Sequence, residues 1–125
     1  MRTPKMSPIV KENRARLINA FSILRKRGLA ARANFMCCMS CGIAEMEKKY
    51  EGKKEGFVFW YRQGEDDIRE LGRVHLCLGC FGSFDEVRDE KVGREVVPVL
   101  REAGLNVIWN GDVCTKILVD LKEVN

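Results

Sequence analysis

Five of the six cysteines in this 125-residue chain fall into two short clusters, which constrain its fold more than any other feature. The first cluster is Cys37-Cys38-Met39-Ser40-Cys41-Gly42, and the second is Cys77-Leu78-Gly79-Cys80. Each contains a Cys-x2-Cys pair, and 35 residues separate the two pairs. Paired thiolates at this spacing are typical of a tetrahedral zinc site, with Zn–S distances of about 2.3 Å. We therefore predict one structural zinc ion per chain, bound by Cys38, Cys41, Cys77 and Cys80.

Two further residues are alternate ligands. Cys37 directly precedes Cys38, so either can supply the first sulfur of the cluster. His75, the only histidine, shares a predicted strand face with Cys77. Gly42 follows the first cluster, and we expect it to adopt a positive φ in the turn around the metal.

The cysteines also admit two interpretations without a metal. The pair Cys38 and Cys41 precedes a predicted helix, and a helix N-terminus lowers the pKa of a thiol, so a thiol redox protein is the alternative function. Free cysteines also pack in protein cores as small hydrophobic residues. That role suits Cys114, which lies in or beside the predicted final hairpin.

The composition indicates an ordinary globular domain, with 46% hydrophobic and 32% charged residues. We expect a single domain over residues 1–125, with residues 1–7 flexible. Because no apolar segment approaches the roughly 20 residues of a membrane span, no membrane association is expected. The first residues lack the apolar stretch of a signal peptide, which favours a cytoplasmic location. Thiols stay reduced there, so metal or redox chemistry is favoured over disulfides.

Positive charge is concentrated at the start of the chain. Residues 1–35 contain nine basic residues and one acidic residue, whereas residues 36–125 contain thirteen basic and seventeen acidic residues. A basic helix on an acidic body can bind an acidic protein, a nucleic acid or a second copy of the chain, although a solvated helix face has the same pattern. The candidate partner-binding residues are Lys11, Arg14, Arg16, Arg25, Lys26 and Arg27.

Hydrophobic periodicity predicts an α+β fold with a single mixed sheet of four or five strands, helices packed on it, a C-terminal β-hairpin and zinc-stapled loops. Ser7 and Pro8 begin the first helix, which ends before Gly28. A second helix covers about residues 43–50. Strands are predicted near residues 31–36, 57–61, 74–78, 105–109 and 115–121.

Three local signals add detail to this outline. Acidic residues 65–67 predict the start of a helical turn that ends near Gly72, and a solvated acidic turn is favoured there over a cation site. Ser83-Phe84-Asp85-Glu86 has the form of a capping box, and its helix should kink or split at Pro98. Asn110-Gly111 predicts a two-residue hairpin turn.

The strand over residues 57–61 is rich in aromatic side chains. Alternation places Phe57, Phe59 and Tyr61 on one face and Val58 and Trp60 on the other. Exposed aromatic residues on a sheet can stack on the bases of single-stranded nucleic acid, and three arginines lie nearby in sequence. The alternative is that both faces are buried. The three arginines close to this strand in sequence are Arg62, Arg69 and Arg73.

Several of these stretches together resemble a small bacterial family of unknown function. The resemblance covers residues 17–121. It rests on the helix that ends at Arg27-Gly28, the segment 34–42 with its Phe-x-Cys-Cys-x-x-Cys-Gly motif, the strand 56–60, Phe81-Gly82, and residues 93–97 and 103–112.

The resemblance implies no activity, but it distinguishes the two cysteine clusters. In that family the first cluster is typical, whereas small or apolar residues are more common at the positions of Cys77 and Cys80. The first cluster can therefore have a role that does not require the second pair. Our functional prediction is a small zinc-binding module that acts by binding a protein or a nucleic acid and is not catalytic.

Overall fold

The first helix begins and ends where the sequence predicts. In the computed structural model, which describes residues 6–81, 85–112 and 116–122, helix α1 is Pro8–Lys26. The Ser7 hydroxyl accepts a hydrogen bond from the Val10 N–H at 3.3 Å, and Pro8 lies in the first turn, where its missing N–H removes no helical bond. Gly28 follows the helix with a φ of 100°. The predicted N-cap at Ser7 and the predicted end of the helix before Gly28 are confirmed.

Strands and helices then alternate along the chain until the last two elements, which are both strands. The elements are β1 (Ala30–Arg32), α2 (Met39–Tyr50), β2 (Gly56–Phe59), α3 (Arg62–Leu71), β3 (Arg73–Cys80), α4 (Glu86–Glu102), β4 (Asn106–Ile108) and β5 (Ile117–Asp120). The strands form one sheet in the order β1-β2-β3-β5-β4. β1 and β2 are parallel, and the other neighbours are antiparallel. The fold is therefore α+β with one mixed sheet, as predicted.

The two faces of the sheet have different cores. Helices α1, α3 and α4 cover one face and bury the larger hydrophobic cluster, in which the rings of Phe21 and Trp60 lie 5.1 Å apart. Helix α2 covers part of the other face, where Phe57 and Phe59 belong to a smaller aromatic cluster. The predicted alternation along β2 is confirmed. Since Phe57 and Phe59 are both buried, the idea of an exposed stacking platform for nucleic acid is wrong.

The acidic stretch at residues 65–67 lies in α3, a ten-residue helix that is longer than the predicted helical turn and ends, as predicted, before Gly72. Glu65 lies in the first turn of α3 and is only 7% exposed. Its carboxylate accepts a hydrogen bond from Trp60 Nε1 at 2.9 Å and pairs with Arg14 Nη2 at 2.8 Å. A buried carboxylate is stable only when it is paired in this way. The network therefore connects α1, α3 and the end of β2.

The C-terminal half differs from prediction in three places. Helix α4 begins after Asp85, whose side chain accepts hydrogen bonds from the N–H groups of Val87 and Arg88, while Ser83 lies outside the described residues. The helix continues through Pro98 without a break. Pro98 is exposed, so water can satisfy the carbonyl that the proline leaves unpaired. β4 and β5 are joined by residues 109–116, so Asn110-Gly111 belongs to a longer connection than a two-residue turn.

Candidate metal centre

The structure brings three cysteines together. The sulfur atoms of Cys37, Cys38 and Cys41 all lie within 4.8 Å of one another, and those of Cys37 and Cys38 are 4.0 Å apart. All three thiols are free; Cys37 and Cys41 are exposed and Cys38 is half-buried. Three soft ligand atoms therefore converge at the surface of the protein.

The backbone before the cluster is held against the sheet. The Phe35 N–H donates to the Trp60 carbonyl at 2.7 Å, and the Arg62 N–H donates to the Met36 carbonyl at 3.2 Å. The Phe35 side chain is buried in the aromatic cluster. Asn34 and Met36 have positive φ values of 46° and 64°, a region that non-glycine residues rarely occupy. This left-handed backbone turns the chain from β1 into the cysteines.

The backbone after the cluster is held by the start of α2. Cys38 is the N-cap of this helix, and its carbonyl accepts a hydrogen bond from the Gly42 N–H at 2.9 Å. Gly42 is buried against Phe59, and a Cβ atom added to it would overlap that ring. Gly42 is helical, so the expectation of a positive φ is wrong; the glycine is needed for this close approach.

The helix start also separates the pKa values of two thiols. The Cys38 sulfur lies near the N–H of Cys41, without the geometry of a capping hydrogen bond, and this proximity lowers the pKa of Cys38. Interaction with the Cys38 and Cys37 side chains raises the pKa of Cys41 to about 11. Cys38 is therefore the first of the two to ionise.

The second cysteine pair does not join this cluster. Cys77 and Cys80 lie on β3, where residues three apart point to opposite faces of the sheet. Cys77 is buried in the aromatic cluster, opposite Phe59 in the β2–β3 register, and this burial raises the pKa of its thiol. Cys80 lies on the other face beside Asp89, which accepts the Cys80 N–H at 2.7 Å. The four sulfurs of the predicted zinc site therefore do not converge.

The alternate ligands have different positions. Cys37 belongs to the cluster, whereas His75 is exposed on β3 outside it. Partial burial and the nearby cations Arg73 and Lys116 lower the pKa of His75, and Asp67 partly opposes them. Cys114 lies outside the described residues.

The basic residues of the first helix fall into two groups. Arg14 is paired with Glu65, Arg16 pairs with Glu12 at 2.9 Å, and Arg25 donates to the Ala31 carbonyl at 2.8 Å. These three side chains are engaged in contacts within the chain. The side chains of Lys11, Lys26 and Arg27 are exposed on the surface of the molecule.

Cys37, predicted only as an alternate to Cys38, lies in the cluster together with it. The available signal was its spacing: Cys37 and Cys41 are four residues apart and flank a helix start, which brings residues onto one side. Met36 and Met39, beside the cluster, were also missed as surface residues; they are 41% and 40% exposed.

This arrangement can bind a soft metal ion. Thiolate ligands favour Zn²⁺, Cu⁺ and iron–sulfur centres over hard cations. Three ligands leave one position of a tetrahedral ion open, unlike the closed four-ligand sites that only support structure. The cysteine cluster is thus a candidate metal centre with room for one external ligand.

Comparison with known proteins identifies a family but no activity. Residues 10–123 match the family described as a domain of unknown function, DUF6891. No curated protein and no solved structure matches the chain. Among the residues that the structure describes, no helix is both long and apolar enough to cross a bilayer. Because the match covers nearly the whole chain, the protein belongs to the DUF6891 family of domains of unknown function.

Proposed function

We propose that Cys37, Cys38 and Cys41 bind one zinc ion, and that its fourth ligand comes from outside the chain. The observation that carries this proposal is the convergence of three sulfurs within 4.8 Å at the start of α2. Tetrahedral Zn–S bonds of about 2.3 Å require sulfurs about 3.8 Å apart. The sulfurs of Cys37 and Cys38, 4.0 Å apart, are already close to that spacing.

The surroundings of the cluster support a metal that stays accessible. Cys37 and Cys41 are exposed, so an incoming ligand can reach the ion. The anchored segments on both sides limit how far the three sulfurs can separate, which favours binding by a preorganised site. Since zinc binds thiolates, the cysteines must remain reduced, which suits a cytoplasmic location.

The proposed role is a binding module without catalytic activity. A protein partner or a second copy of the chain can supply the fourth ligand, and a nucleic acid can bind the exposed cations Lys11, Lys26 and Arg27. These three cations are exposed along and just after the basic helix. Binding to phosphates should weaken steeply as salt rises, whereas binding through the metal should not.

The test is the metal content of the purified protein together with protection of its thiols. We expect one zinc ion per chain by elemental analysis, and Cys37, Cys38 and Cys41 should resist alkylation until a chelator is added. Cys80→Ser is the matched control, since Cys80 lies outside the cluster, and it should retain the metal. A reduced protein that neither contains nor takes up zinc would rule out the proposal.

A thiol redox function is the second candidate, favoured by the pKa values of the two thiols. Cys38 has a lowered pKa and Cys41 a raised one, the pattern of an attacking and a resolving cysteine. Cys38 would attack a substrate disulfide, and Cys41 would then displace the substrate as a reduced dithiol, leaving a Cys38–Cys41 disulfide. Cys37→Ser separates the two functions, because it removes a zinc ligand and leaves the redox pair intact.

A further inference from the structure

A second candidate site lies between α4 and the chain that follows β4. It is a cleft of about 340 Å³, at the small end of the range for ligand pockets, which is about 300–1,000 Å³. Its walls combine cationic, aromatic and apolar side chains: Arg94, Arg101, Trp109, Asn110, Val97 and Pro98. The cysteine cluster contributes nothing to it, so the cleft is independent of the proposed metal centre.

The aromatic wall is held in place by the fold. The Trp109 indole packs on Gly93 of α4, where an added Cβ atom would overlap the ring. Its Nε1 donates to the Asp112 carbonyl at 3.1 Å, and the Asp112 N–H donates to the Asn110 side chain at 2.9 Å. Residues 93–97 and 103–112, two of the stretches that carry the family resemblance, meet here. The half-buried ring is therefore fixed beside the cleft rather than free to rotate.

The cationic wall has no acidic residue among the described lining residues. Arg101 Nη2 donates to the Val107 carbonyl at 3.3 Å, which orients the guanidinium. Arg94 donates to Glu90, one turn earlier on α4, through Nε at 2.9 Å and Nη2 at 2.6 Å. Each guanidinium has five N–H donors in a planar fork, so these contacts leave others for an anion.

We infer that this cleft binds a small anion that carries a planar ring, of the class of a nucleoside monophosphate. Arg94 and Arg101 bind the charged group through paired N–H donors, and the ring packs against Trp109, Val97 and Pro98. The volume has room for one ring system and one charged group. An aromatic face beside two guanidinium groups recognises both parts of such a ligand at once.

Titration with nucleoside monophosphates tests the inference directly. The chain has two tryptophans, and Trp60 is fully buried, so a change in fluorescence reports on Trp109. AMP, GMP, CMP and UMP are added to the whole protein in the presence of EDTA, with adenosine and inorganic phosphate as matched probes. We expect at least one nucleotide to saturate the signal. Adenosine and inorganic phosphate should each bind with an affinity at least about tenfold lower.

Variants distinguish the cleft from non-specific charge effects. Arg94→Gln and Arg101→Gln should each weaken nucleotide binding about tenfold, because each removes a charge-assisted hydrogen bond. Arg69→Gln removes the same charge from α3 and should bind as the unmodified protein does. Circular dichroism confirms that each variant is folded, and Arg94→Gln leaves the contact between Arg101 and Val107 in place.

Three results would overturn the inference. The first is that no nucleotide saturates below ~10 mM, a concentration beyond which binding is negligible. The second is unchanged binding in both arginine variants. The third is phosphate binding as tightly as the nucleotides do, since the ring would then have no role.

Discussion

The two Cys-x2-Cys pairs of this chain have the same spacing and opposite outcomes. Cys38 and Cys41 lie at the start of a helix, where the N-cap and the third helical residue are on the same side. Cys77 and Cys80 lie on a strand, where residues three apart are on opposite sides. Spacing alone therefore does not define half of a metal site. The local backbone decides whether two sulfurs can reach one ion.

The surroundings of the two pairs differ as much as their geometry. Backbone N–H groups at the start of α2 lower the pKa of Cys38, whereas burial among aromatic rings raises the pKa of Cys77. A thiol that ionises easily is available to a metal or an oxidant, and a buried neutral thiol is a packing group. The same residue type thus has a chemical role in one region and a structural role in the other.

The largest expected difference between the two pairs is in metal affinity. Cys37→Ser, Cys38→Ser and Cys41→Ser should each reduce zinc affinity more than about 100-fold, because loss of a ligand exceeds the 10–100-fold effect of losing a residue that only supports one. The double variant Cys77→Ser/Cys80→Ser should bind zinc as the unmodified protein does. Competition with a chromogenic chelator measures both. If both sets of variants lost the same zinc affinity, the result would support the four-cysteine site instead.

Alkylation of the metal-free protein should separate the cysteines by rate. Only the thiolate reacts, so the lowered pKa of Cys38 makes it reactive below the usual thiol range. A thiol with a pKa of about 11, as for Cys41, is ionised to about one part in a thousand at pH 8. Mass spectrometry after a brief exposure to iodoacetamide should find Cys38 modified first and Cys77 last. Cys41 should stay largely unmodified in molecules whose Cys38 is still free, because the Cys38 side chain is what raises its pKa.

Gly42→Ala tests whether the close contact of α2 with Phe59, next to the cysteine cluster, contributes to stability. Gly42→Ala places a methyl group against Phe59, and overpacking of this kind costs about 1–3 kcal/mol. Ser40→Ala, at an exposed position in the same turn of α2, should change the free energy of unfolding by less than about 0.5 kcal/mol. Urea denaturation measures both variants. Adding Phe59→Leu to Gly42→Ala should cost less than the sum of the two single changes, because the smaller side chain makes room for the methyl group.

Much of the fold follows from local sequence signals. Ser7 and Pro8 predict the start of α1, and alternation along residues 57–60 predicts which side chains face each core. α3 is longer than the helical turn predicted from residues 65–67, and its Glu65 is buried and paired with Arg14, a residue far away in sequence. The continuity of α4 through Pro98 likewise depends on which side of the helix faces water. Such tertiary contacts cannot be derived from a local pattern.

The candidate metal centre was predictable only in part. The segment around Cys37, Cys38 and Cys41 was identified from its composition and from its position before a helix. The assignment of Cys77 and Cys80 to the same site was wrong because it rested on their spacing and not on the conformation of the backbone between them. Yet the alternation of Val74, Leu76 and Leu78 already predicts a strand there, and a strand cannot direct both sulfurs to one ion.

The smallest expected difference between the two pairs is in the stability of the metal-free protein. Cys77→Ser places a hydroxyl among Phe57, Phe59 and Phe81, and burying a hydroxyl without a hydrogen bond costs about 1–3 kcal/mol. Cys41→Ser changes an exposed side chain, so its free energy of unfolding should not change measurably. Urea denaturation with EDTA and a reductant compares the two variants without metal. If Cys77→Ser were as stable as Cys41→Ser, the thiol of Cys77 would not be the packing group that its burial indicates.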